Sequence, residues 1–220
     1  MIKISKRLES LAKFVESDDK VIDVGCDHAY LDIYLVQSGL SNKVYICDVN
    51  ANALQNGIDN VEKYELSSNI VPIHGYGIEK AVYCDVDTLI ISGMGAKNMI
   101  EIMSSPYLNR FYKVILQSNN NHDELRKFLA EKGFSIVYEE IVEDAKKSYI
   151  NIVAINANRP IEYTETECEF GPMLIKDKNN LPYFKDLLES YNDIIIYSKD
   201  DELREKIKRL EGVITSLESK

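Results

Sequence analysis

The sequence predicts an α/β protein: a mostly parallel, helix-flanked seven-stranded sheet with one antiparallel strand, followed by a C-terminal helical hairpin. Three observations carry this. Between residues 21 and 131, short apolar runs alternate with stretches of helical spacing, which is the rhythm of βα units. Residues 134–142 and 149–157 are two β runs too close in sequence to hold a helix between them, so they pair as an antiparallel hairpin. Beyond Asn158-Arg159-Pro160 the rhythm stops and two helical patterns follow. The chain therefore reads as 1–158 and 159–220.

Taken in order, residues 5–15 place Leu8, Leu11, Ala12 and Val15 at helical spacing, with Lys6, Arg7 and Lys13 on other faces; this is a short amphipathic helix. Lys20 to Val24 is a buried strand ending at Gly25, and Asp27 is placed to cap a helix running through Ala29, Tyr30, Leu31, Ile33, Tyr34 and Leu35. Residues 43–48 are a second strand ending in Asp48, followed by a helix through Ala51, Leu54, Ile58 and Val61. In the third strand, 69–73, Pro72 predicts an edge position, because proline cannot donate to a ladder. Residues 87–92 form a fourth strand that lands on Gly93-Met94-Gly95, and a helix through Met99, Ile100, Ile102 and Met103 follows. The fifth strand, 111–117, precedes a helix over 123–131 that Gly133 ends and His122 starts as a cap. In the tail, 182–197 and 201–218 carry apolar residues on one side each, the second with heptad-like, coiled-coil-like spacing over barely two heptads.

Composition narrows the function. No apolar run approaches the roughly 18 residues of a membrane span, and no charged-then-apolar leader opens the chain; a cytoplasmic monomer is expected. Cys26, Cys47, Cys84 and Cys168 form no CxxC pair and are spaced like neither a zinc site nor a disulfide framework, so no metal is expected. The net charge of −10 argues against a nucleic-acid partner when taken whole. Residues 21–96, however, hold three Lys/Arg against ten Asp/Glu, a net of −7, which leaves room for basic faces elsewhere.

A strand that feeds a helix through a glycine turn is how α/β folds build nucleotide sites. Here Gly25 is followed by Cys26-Asp27-His28-Ala29-Tyr30, so the second and third glycines of the dinucleotide fingerprint are absent. A pyrophosphate would also meet Asp27. S-adenosylmethionine fits better, because Asp23 and Asp27 can receive its sulfonium and ammonium groups. Asp48 is placed for the ribose hydroxyls, and His74-Gly75-Tyr76-Gly77-Ile78 would border the adenine, with Tyr76 or Ile78 against its ring. Ser92-Gly93-Met94-Gly95 sits where an acceptor is expected, with glycines leaving room for a flat base. The Asp/Asn-Pro-Pro-aromatic signature of amino methylation is missing, and so is the flanking pattern of a nucleophile elbow.

Ser5-Lys6-Arg7-Leu8, Asp23-Val24-Gly25-Cys26-Asp27-His28-Ala29-Tyr30-Leu31, Ser92-Gly93-Met94-Gly95, Ile115-Leu116-Gln117 and Phe170-Gly171-Pro172-Met173-Leu174 together resemble the TrmK family of bacterial tRNA (adenine(22)-N1)-methyltransferases. The resemblance covers nearly the whole chain. It implies a Rossmann-like methyltransferase domain, a coiled-coil-like helical arm, S-adenosylmethionine as cofactor and tRNA as substrate. Adenine N1 carries an in-plane lone pair, so no general base is strictly required. The base must leave its stack to expose that edge. On this resemblance Tyr30 and Met94 would sandwich the base, Asp27 and His28 would read its edge, and Lys6 and Arg7 would touch phosphates. Gln117 and Asn119 belong to the acceptor loop. Two departures stand out: Gly75-Tyr76-Gly77 replaces the Gly-Asp-Gly common in relatives, and Gln117-Ser118-Asn119 replaces Gln-Pro-Asn. From the residues alone two other readings stay open: a methyltransferase acting on another RNA base or a small molecule, and a non-catalytic RNA-binding module of the same fold.

Overall fold

The computed structural model describes residues 1–197 and 200–219. Seven strands form one sheet: β1 (Val21–Val24), β2 (Val44–Asp48), β3 (Ile70–His74), β4 (Thr88–Met94), β5 (Lys113–Ser118), β6 (Phe134–Asp144) and β7 (Lys147–Asn156). Their order is β3-β2-β1-β4-β5-β7-β6. β1 to β5 run parallel, while β7 lies antiparallel between β5 and β6. The helices of this part are α1 (Lys6–Ala12), α2 (Tyr30–Gln37), α3 (Ala51–Lys63), α4 (Ala96–Met103) and α5 (His122–Glu131).

Local chemistry explains these elements. Every residue of β1 and β5 is buried, as expected of inner parallel strands covered on both faces. Pro72 sits in β3, which pairs with β2 alone at the sheet edge. Ala145 and Lys146, both at positive φ, join β6 to β7 in a two-residue turn, the geometry that matches strand twist. Leu11, Ala12 and Val15 bury α1 and its exit against Val21, Val44 and Ile115 in one core.

Two expectations need correction, and two elements were not foreseen. Asp27 caps no helix: it stands exposed at φ 45°, and α2 begins after Ala29, also at positive φ, with no side-chain cap. Crowding explains the tight approach, since a Cβ on Gly57 of α3 would lie 3.0 Å from the Asp27 carbonyl oxygen. His122 is likewise the first residue of α5 rather than its cap, which is Asn121. β3 is followed by a short 3-10 turn, Glu79–Tyr83. Finally, Glu165–Phe170 is a helix beyond the two expected in the tail, started by a capping box between Thr164 and Glu167.

That helix, α6 (Glu165–Phe170), belongs with α7 (Leu181–Ile195) and α8 (Asp201–Glu218). Contacts divide the chain into two compact units, Met1–Ile161 and Glu162–Lys220. The second is held by Ile207, Leu210, Val213, Ile214 and Leu217 of α8, all buried, and by Phe170 edge-on to Phe184 at 6.3 Å. Arg209 donates through Nε and Nη2 to the two carboxylate oxygens of Glu169, each at 2.7 Å, a bidentate geometry that fixes α8 on α6. No described helix is long and apolar enough to cross a membrane.

Candidate active site

The strand order reverses between β1 and β4, and ligands of such sheets bind outside the carboxyl ends of strands at that switch. A cavity of about 320 Å³ lies there. Its floor is Asp23, Gly25 and Cys26; Asp27, His28, Tyr30 and Leu31 form one wall; Ser92, Gly93 and Met94 form the other, and Arg7 and Leu8 of α1 close one side.

Gly25 is required twice over. Its φ is +83°, and a Cβ built on it would lie 2.0 Å from Met94 Cε, so the backbone turns under the methionine only where no side chain exists. Gly93, at φ +76°, occupies the irregularity where the β4–β5 register shifts between Ser92 and Met94. Bulges of this kind re-aim a strand end beside a site. The loop after β5 braces it: Asn119 donates through Nδ2 to the Gly93 carbonyl at 2.7 Å and through its backbone N–H to the Met94 carbonyl at 2.8 Å. Asn120 accepts the Ala96 N–H at the start of α4 at 3.2 Å.

The floor is acidic. Asp23 keeps 4 % of its surface and Asp32, on α2, none. Burial pushes Asp23 up to about 7, with Asp48 adding to the rise while Asp32 and Arg7 oppose it. Burial and then the Asp23 charge hold Asp32 well above the carboxylate range. Cys26 and Cys47 are kept as neutral thiols, first by burial and then by neighbouring carboxyls. At the mouth, His28 Nε2 stands 3.6 Å from Asp27 Oδ2, and its ring stacks on Tyr30 with centroids 5.3 Å apart and planes 17° from parallel. Asn60 of α3 donates to the His28 carbonyl at 3.1 Å and anchors that loop.

Nine residues expected from the sequence thus meet in one cavity: Arg7, Asp23, Gly25, Asp27, His28, Tyr30, Ser92, Gly93 and Met94. Others stand apart. Asp48, half-buried at the end of β2, accepts the Asn50 N–H at 2.8 Å. Gly75 and Gly77 are tied to β2 through the Cys47 thiol, which donates weakly to their carbonyls at 3.6 and 3.4 Å. Tyr76 is exposed and donates to Glu101 at 2.5 Å, while Ile78 is fully buried and offers no face to a ring. Lys6 is exposed on α1.

Gln117 and Arg7 meet each other. Gln117 is fully buried and touches no open surface; its Oε1 accepts from Arg7 Nη1 at 2.8 Å. Arg7 is half-buried, with its guanidinium 5.5 Å from the Tyr149 ring centre, and it lines the cavity. Sequence reasoning missed Leu8, Leu31 and Asp32. For Asp32 the signal was present: an acid flanked by Leu31 and Ile33 in a helix apolar on nearly all faces must be buried.

The arrangement suits a cationic ligand rather than a pyrophosphate. Its deepest charged side chain is a buried carboxyl whose Oδ1 has no hydrogen-bond partner, and the turn carries one glycine where a pyrophosphate needs more. Among the described residues no group of three or more His, Cys, Asp or Glu is placed to hold a metal.

Comparison with known proteins agrees with this geometry. Residues 4–152 match the family model described as a methyltransferase domain. A Mycoplasma genitalium protein with a provisional tRNA methyltransferase name is 31% identical over 98% of this chain and 100% of its own length. The Bacillus subtilis tRNA (adenine(22)-N(1))-methyltransferase is 28% identical over 81% of this chain and 77% of its own. Among solved structures, M. capricolum TrmK in complex with S-adenosyl-homocysteine has a TM-score of 0.87 at 26% identity, covering 97% of this chain and 99% of that one. A Streptococcus pneumoniae protein, provisionally named as a tRNA N1-methyladenine-22 methyltransferase and solved with S-adenosyl-L-methionine, has a TM-score of 0.86 at 30% identity, covering 96% and 100%.

Proposed function

We propose, since the chain belongs to the TrmK family of methyltransferase-domain proteins, that it is a tRNA (adenine(22)-N1)-methyltransferase acting as a monomer in the cytoplasm. The observation that carries this reading is the acidic cavity at the β1/β4 switch, with one wall formed by Gly93 and Met94 and the other by Asp27, His28 and Tyr30. S-adenosylmethionine, when bound, supplies an electrophilic methyl on a sulfonium, and adenine N1 is nucleophilic enough to take it without prior loss of a proton.

The chain's own residues then have positioning and electrostatic work. Asp23 receives the ligand's positive charge at the cavity floor, and Gly25 leaves space for close backbone approach. Asp48, at the end of the neighbouring strand, is one short loop away from Asn50 and placed for ribose hydroxyls. The 75–78 loop borders that end of the site, with Tyr76 exposed and Ile78 backing it from the core. At the mouth, the stacked His28 and Tyr30 rings offer a flat platform for an extruded base, with Met94 opposite. Methylated N1 carries positive charge, and Asp27 beside His28 stabilises it as it develops. Holding base and methyl in line supplies most of the rate. Lys6 lies on the exposed face of α1 and meets tRNA phosphates, while Gln117 and Asn119 act indirectly, through Arg7 and the Gly93 carbonyl.

Methyl transfer to total tRNA tests this reading. Label is expected in tRNA and in no small-molecule fraction. Cofactor binding without transfer to any RNA would leave a binding module, and transfer to another acceptor would replace the substrate.

A further inference from the structure

Asp32, beside Asp23 at the cavity floor, is an unexpected side chain for its surroundings. It is an acid on α2 with no exposed surface, and neither of its oxygens has a partner of hydrogen-bond geometry. Asp23 Oδ1 is in the same condition, and Asp23 lines the cavity. Three buried acceptor atoms without donors are costly if both carboxyls are ionised, because each loses hydration, Asp32 faces the Asp23 charge and Asp23 faces that of Asp48. The surroundings give little relief. Asp48 on β2 adds negative charge, the Cys26 and Cys47 thiols are neutral, and Arg7 on α1 is the cation that favours ionised Asp23. Asp27 and His28 stand further out, at the mouth, and are exposed.

We infer that Asp32 is a positioning acid for the cofactor site: it keeps its proton and presents it to Asp23, which ionises as a ligand cation arrives and sends its own proton to solvent. The two carboxyls then divide the work. Asp23 meets the ligand's ammonium, while neutral Asp32 supplies the donor that a buried carboxylate otherwise lacks. The proton balance is one proton released from Asp23 for one positive charge admitted, with Asp32 unchanged. This inference rests on the cavity being the S-adenosylmethionine site.

The test is calorimetric binding to the full chain, using S-adenosylhomocysteine, which carries the ammonium, and 5′-methylthioadenosine, which does not. In the unaltered protein, titration below about pH 7 in buffers of different ionisation heat should show proton release with the first ligand beyond that with the second. Asp32→Asn keeps a donor and should retain both affinity and pH profile. Asp32→Leu removes it, and should weaken S-adenosylhomocysteine about tenfold near neutrality and move the pH midpoint up by about one unit. Binding of 5′-methylthioadenosine should stay unchanged in that variant and reports that it is folded. The inference is overturned if the unaltered protein releases no excess proton, if Asp32→Leu keeps the original pH profile, or if Asp32→Asn loses as much affinity as Asp32→Leu. Failure of every ligand to bind the unaltered protein would instead overturn the cofactor reading.

Discussion

Arg7 Nη1 donates to Gln117 Oε1 at 2.8 Å, joining the first helix to the end of the fifth strand. The contact is one side of a closed ring. Gln117 Nε2 donates to Asn151 Oδ1, Asn151 Nδ2 donates to Ser10 Oγ at 2.8 Å, and the Ser10 hydroxyl returns to the Arg7 carbonyl at 2.7 Å. Asp144 adds an acceptor for the Arg7 N–H at 3.1 Å. Helix α1 closes one side of the cavity, and these bonds decide where it sits.

Gln117→Leu opens the ring and leaves Asn151 and Arg7 with unanswered polar groups. A destabilisation of about 1–3 kcal/mol is expected, read as a lower urea midpoint at constant slope, together with slower methyl transfer. Unchanged stability would show that the ring carries no net energy.

Gly25→Ala strains a φ of +83° and drives a Cβ onto Met94 Cε. The backbone term alone is on the order of 1–3 kcal/mol. Cofactor affinity should fall by more than about tenfold. Adding Met94→Ala removes the clash but not the strain, so affinity should recover only in part. Full recovery in the double variant would show that the backbone conformation is unimportant.

Asp27→Ala and His28→Ala alter the mouth and leave the floor intact. Turnover should fall by about tenfold or more in each, roughly 1.4 kcal/mol of barrier or more, with the cofactor dissociation constant of His28→Ala within a factor of about two. Normal turnover in both would remove these residues from the acceptor site.

Lys6→Ala should weaken tRNA binding and reduce the slope of log affinity against log salt by about one, measured by filter binding across a salt series. An unchanged slope would place tRNA elsewhere on the molecule.

His122 Nε2 lies 3.1 Å from the Ser118 carbonyl oxygen, and burial, with Arg126 adding to it, lowers the imidazole from 6.5 to about 4. The unfolded chain therefore binds the proton first as pH falls. Stability is fully present above about 6.5 and is lost as pH drops toward 4, by about 1–2 kcal/mol at pH 5. His122→Gln should flatten denaturant midpoints over that interval. An equally steep fall in the variant would assign the dependence to other groups.

Much of this was readable from residue order. An apolar run ending at Gly25 and the Ser92-Gly93-Met94 stretch mark two borders of the cavity in the sequence itself, because strand ends and glycine turns are local signals. Three features were not readable for physical reasons. Asp27 looks like a cap in sequence, but it sits at φ 45° with its carbonyl against Gly57 of α3, a tertiary neighbour that residue order does not reveal. Gln117 reads as a loop residue until β7 supplies Asn151 from far along the chain. Helix α6 is only six residues long, too short for an apolar period, although Thr164 and Glu167 spell its capping box.

Position-resolved methylation tests directly whether N1 of one adenine receives the methyl group. A tRNA transcript with adenine at position 22 is incubated with the protein and S-adenosylmethionine, alongside the same transcript carrying guanine there. The account predicts N1-methyladenine at that position in the first and no methylation in the second. Equal methylation of both transcripts, or a methyl group found on any other base, would contradict it.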